Sequence, residues 1–94
     1  MGSAFALANL AVAALGRGEM ERALALGEES FSIYRALGDR SGMELALINL
    51  GDVARERGEE ERANASYEEA LGLYQELGNE RGVARALEHF GKRE

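Results

Sequence analysis

His89 is the only imidazole in the chain. An imidazole titrating near neutrality can serve as a general base or a metal ligand, but either use needs partners in reach. On a helix its neighbours would be Arg85, Glu88, Lys92 and Arg93, which do not form a ligand set. There is no cysteine, so thiolate nucleophiles, thiolate metal sites and disulfides are excluded. Glu28-Glu29 and Glu68-Glu69 pair carboxylates in sequence, yet successive residues of a helix point about 100° apart and do not converge. The segment GDRSG, Gly38 to Gly42, lacks the Lys-Ser/Thr ending of a phosphate loop and has no strand before it. These residues predict no catalysis, no metal site and no cofactor.

Composition narrows the class further. The chain has 94 residues, 46% hydrophobic and 30% charged, without proline. Ala, Leu, Glu and Arg dominate it, which predicts one small all-helical domain. A net charge of −6 argues against nucleic acid, whose phosphates need clustered Lys and Arg. The apolar run from Ala4 to Leu15 is too short to cross a bilayer. No basic residue precedes it and Asn9 interrupts it, so neither a secretory signal nor a membrane partner is expected. Ala6 stands where a myristoylation pattern wants Ser or Thr. The absence of Cys fits a reducing, cytoplasmic compartment.

The elements that position these side chains repeat. Aligning residues 3–42 with 43–82, without a gap, gives about 18 identities in 40 positions. Leu7, Asn9, Leu10 and Ala14 answer to Leu47, Asn49, Leu50 and Ala54; Arg17-Gly18-Glu19 answers to Arg57-Gly58-Glu59; Ala23, Tyr34 and Leu37 answer to Ala63, Tyr74 and Leu77. A partial third copy occupies 83–94, with Ala86, Leu87 and Gly91 matching Ala46, Leu47 and Gly51. Each full unit reads as two helices. Met43, Leu47, Leu50 and Ala54 form one helical stripe, with Ala46 and Gly51 beside it. Ala63, Tyr67, Ala70, Leu71, Tyr74 and Leu77 form the next. Gly58 and Gly78 are placed to end these helices in the left-handed conformation, and Asp39 and Asn79 to cap the helices that follow. The predicted helices are 4–17, 19–37, 40–57, 59–77 and 80–92. Gly42 and Gly82 fall in a first turn, where a repeated glycine predicts close approach of the preceding helix.

The stretch LINLGDVARERGEEERANASYEEALGLYQELGNERG resembles a tetratricopeptide repeat. Leu50-Gly51, Ala54, Gly58, Ala63, Tyr67 and Ala70 match that family's alternation of small and large residues. The 40-residue length, without the proline of the commoner 34-residue form, is similar to repeats in kinesin light chains, spindle-orientation scaffolds and large bacterial transcription activators and signalling proteins. The Ala-, Arg- and Gly-rich style is closest to the bacterial examples. The first copy departs from the pattern, with Gly27 where the second has Tyr67 and Ser30 where it has Ala70. Either Phe31 and Leu26 fill the vacated space or a neighbouring chain does.

The resemblance implies a fold and a role. The fold class is all-α, an α-solenoid of antiparallel helix pairs with two full repeats and a C-terminal half repeat. In that family the first helix of each pair lines a concave groove. Here the groove side would carry Phe5, Asn9 and Val12 on the first helix, and Leu45, Ile48, Asn49, Asp52 and Arg55 on the third. His89 would follow on the fifth. Phe5, Val12, Leu45 and Ile48 would form an apolar patch too large to leave in water. Asn9, Asn49 and His89, 40 residues apart, would make a polar ladder of the kind that bonds a bound peptide backbone in related repeats. The first helix is apolar nearly all round, which predicts cover on more than one side. Three functions follow. The first is a non-catalytic module binding a protein, a peptide or an amphipathic helix. The second is an element that self-associates into a homo-oligomer through its first helix. The third is a piece of a bacterial regulator's ligand-sensing region.

Overall fold

A computed structural model describes the backbone of residues 3–78 and 80–92, and their side chains except at 85, 86 and 89–92. Five helices follow one another: α1 Ala4–Gly16, α2 Met20–Leu37, α3 Arg40–Glu56, α4 Glu60–Glu76 and α5 Glu80–Lys92. No strand occurs among the described residues. α1 packs on α2 and α3 on α4. The two pairs join through α2 against α3 and α1 against α3, and α5 rests on α4.

The boundaries are set locally. Ser3 Oγ accepts the Ala6 N–H at 3.1 Å and Asp39 Oδ1 accepts the Gly42 N–H at 3.0 Å, each satisfying a free donor of a first turn. At the other ends Gly18, Gly38, Gly58 and Gly78 all have φ between 67° and 79°. That left-handed step lets Asp39 N–H reach back to the Tyr34 carbonyl at 2.9 Å, and Glu59 N–H to that of Ala54 at 2.8 Å. The cap expected from Asn79 lies outside the described residues.

The core is built from small residues on one partner and rings on the other. α1 buries Ala4, Ala8, Ala11 and Ala14. Tyr67, fully buried, lies over Gly51, where a Cβ would collide with its ring. Gly42 and Gly82 take the rings of Tyr34 and Tyr74 in the same way. The close approach expected at these glycines is therefore made by an aromatic side chain of the preceding helix rather than by its backbone. The space vacated at Gly27 is closed by Leu50, whose Cδ2 lies 2.9 Å from where a Cβ would stand. So α3 fills it, rather than Phe31 and Leu26 or another chain. Ser30, buried, turns its hydroxyl back onto the Gly27 carbonyl at 3.2 Å.

α3 is enclosed by α1, α2 and α4. Among the described residues α1 has α2 and α3 beside it and no helix on its remaining sides. The cover expected all round α1 is therefore not supplied by the described residues, and Phe5, Leu10 and Val12 stay exposed.

Candidate functional site

Positions seven apart on a helix differ by about 20° in direction, so Phe5 and Val12 share one face of α1, and Leu45 and Asp52 the matching face of α3. Phe5 is 61% exposed and Val12 53%. Asn9 between them is exposed, and Leu45 is half-buried. This α1–α3 face carries no charge along α1, since residues 4–16 contain none. Further along α3 it becomes charged.

Two of the expected contact residues lie deeper than their sequence pattern indicated. Ile48 is only 6% exposed and belongs to the core cluster of Leu47, Ala54, Tyr67 and Tyr74. It is a core residue, and the apolar part of the face is Phe5, Val12 and Leu45. Asn49 is 8% exposed, whereas Asn9 is open to solvent. The cause is the neighbour. Val53, one turn beyond Asn49 on the same side, clusters with Ala14 of α1 and Ala23 of α2, so this flank of α3 is closed by the preceding pair. Among the described residues nothing covers the corresponding flank of α1, where Asn9 is exposed. Asn49 Nδ2 has no hydrogen-bond partner. The side chain of the third rung, His89, lies outside those described, as do the side chains of Arg85 and Lys92.

Asp52 and Arg55 do come together, with a partner that the sequence did not assign to them. Tyr67 of α4 donates its hydroxyl to Asp52 Oδ1 at 2.6 Å. Arg55 donates to the same oxygen at 3.3 Å, and its guanidinium lies 5.6 Å from the Tyr67 ring centroid, within cation–π range. Burial, and next the bond to Asp52, push the Tyr67 hydroxyl well up from its ordinary value. The two charges thus carry structural work at the α3–α4 contact. The spacing of Asp52 and Arg55, one turn apart, was legible; their bond to a residue 15 positions away was not.

Glu44 also escaped the sequence reading. It is 3% exposed, and burial pushes its carboxyl from 4.5 up to about 7. The signal was present in the register: Glu44 replaces the small Ala4 of the first copy.

Among the described residues no group of three or more His, Cys, Asp or Glu could hold a metal ion, and no helix is long and apolar enough to cross a membrane. Residues 3–76 match a family described as tetratricopeptide repeat. None of the curated proteins matches the chain.

Proposed function

Because the chain belongs to the tetratricopeptide repeat family, whose repeats generally serve protein–protein interaction, we propose that its α1–α3 face holds a peptide or amphipathic helix without catalysis. On this reading the unit comprises repeats 3–42 and 43–82 and a partial third, 83–94. The observation that carries it is the open strip on α1, where Phe5 is 61% and Val12 53% exposed, with exposed Asn9 between them and half-buried Leu45 on α3. Phe5, Val12 and Leu45 would supply apolar contact, Asn9 an amide for a peptide backbone, Asp52 and Arg55 a charged end, and His89 a further polar rung. Asn49, 8% exposed, is left out of the contact.

The test begins with peptides selected from a random display library against the whole chain. Asn9→Ala is expected to weaken the best of them about five- to tenfold, corresponding to about 1 kcal/mol. The melting temperature should move by no more than a few degrees, since Asn9 is exposed. Unchanged affinity would take Asn9 out of the contact.

One observation favours a second reading, that another copy of the chain covers the same face. Phe5 and Val12 stand in water on a helix without a single charge, and monomers rarely leave such patches open. Sedimentation equilibrium is expected to show a dimer that Phe5→Glu disperses. A strict monomer at high concentration sinks this reading and leaves the first intact.

A further inference from the structure

Glu44 is the one charged side chain among the buried residues of α3, and its Oε2 has no hydrogen-bond partner. A carboxyl in such a place must find a cation, hold a proton or push the packing apart. Its location follows from the repeat register. Forty residues earlier, Ala4 is buried in a cluster with Tyr34 and Ala46, beside Met43. The same offsets in the second pair lead to Tyr74 and Val83. Leu47 and Ile48, three and four residues on and so on the same side of α3, cluster with Tyr74, and Val83 of α5 packs against that cluster. On that register Glu44 falls at the seam where α5 meets the α3–α4 pair, in a place where the first pair has a methyl group.

Among the described residues no group around this seam neutralises it. α1 has no charged residue. On α2 the end nearest α3 carries Tyr34, itself raised by burial and then by Asp39. On α3 Arg40 is committed to Glu76 of α4 at 3.1 Å, and α4 otherwise offers Tyr74. α5 begins with Glu80 and Arg81, both exposed, and its Arg85 lies outside the described side chains. None of the ion pairs among the described residues includes Glu44.

We propose that Glu44 is a proton-operated latch for α5: protonated, it lets α5 close on the α3–α4 pair, and ionised, it weakens that docking. α5 is the helix this would release, because it rests chiefly on α4, whereas α3 is held on three sides. The raised carboxyl sets the sign. A group held above its ordinary 4.5 in the docked state contributes docking free energy that is full below 4.5, declines as pH rises towards about 7 and is flat beyond. The latch works whatever the α1–α3 face binds.

Amide hydrogen exchange on the whole chain, corrected for intrinsic rates, tests it between pH 5 and 8, beside a carboxyl-carbon NMR titration of Glu44. Protection at Val83, Ala84 and Leu87 is expected to fall about tenfold per pH unit up to pH 7 and then level off, while α1 and α2 amides hold. In Glu44→Gln, which keeps the shape, and in Glu44→Ala, which copies Ala4, α5 protection should be independent of pH and at pH 7 at least that of the parent. A carboxyl titrating near 4.5, pH-independent α5 protection in the parent chain, or equal loss in all helices would each overturn the latch.

Discussion

Tyr67→Ala is expected to cost about 3–5 kcal/mol of folding stability, the range for truncating a large buried aromatic residue. Tyr67 is fully buried and its ring fills the notch over Gly51. Around it stand Leu47, Ala54, Ala63 and Ala70; alanines and a glycine cannot reach inward to fill the hole, so the cavity stays open. A chain of 94 residues holds about 5–14 kcal/mol at the usual 0.05–0.15 per residue, so this loss takes about a fifth of the total or more. Tyr67→Phe keeps the ring and removes only the hydroxyl that Asp52 accepts. Asp52 keeps Arg55 and partial access to water, so about 1 kcal/mol should be lost. Urea unfolding followed by circular dichroism measures both. A Tyr67→Ala loss below about 1 kcal/mol would show that the α3–α4 core closes without this ring, contrary to the packing described.

Gly42→Ala should lose about 2 kcal/mol, although alanine is the better helix former. The added Cβ would meet the Tyr34 ring. That ring is buried between α2 and α3, so relief requires the two helices to separate. Gly82→Ala should behave alike against Tyr74, with the effect centred on the docking of α5. Gly72→Ala provides the contrast. It lies within α4 with nothing within 4 Å of a new Cβ, and should gain about 0.5–1 kcal/mol from helix propensity alone. The opposite signs separate a glycine required by packing from one that is merely tolerated. Small gains at all three positions would remove the ring-on-glycine contact as the device that sets the spacing between successive helices.

The α1–α3 face was only partly legible in the sequence. Phe5 and Val12 emerge where their spacing placed them, because α1 has no neighbour there to change the outcome. Ile48 and Asn49 do not, because burial at a position depends on which helix lies across from it, and that helix is distant in the chain. Asp52 and Arg55 were recognisable as charges, yet the hydroxyl that binds Asp52 comes from another helix.

By itself the sequence determined the five helices, to within a residue at each end, and their recurrence every 40 residues. Those signals are local: a cap oxygen at Asp39, left-handed glycines at 18, 38, 58 and 78, and apolar stripes at helical spacing. Identical positions in the two copies read identically on that basis. Only the tertiary structure decided how differently they end. Leu50 closes the space at Gly27 while its counterpart Leu10 faces water. Leu47 is 3% exposed beneath α4 while Leu87, the same position on α5, is 54% exposed. Ala4 and Glu44 fill one kind of site with a methyl group and an acid. A repeat specifies the same face each time, but what lies against that face depends on its place in the stack, and burial, unpaired polar atoms and shifted protonation follow from the neighbour rather than from the residue.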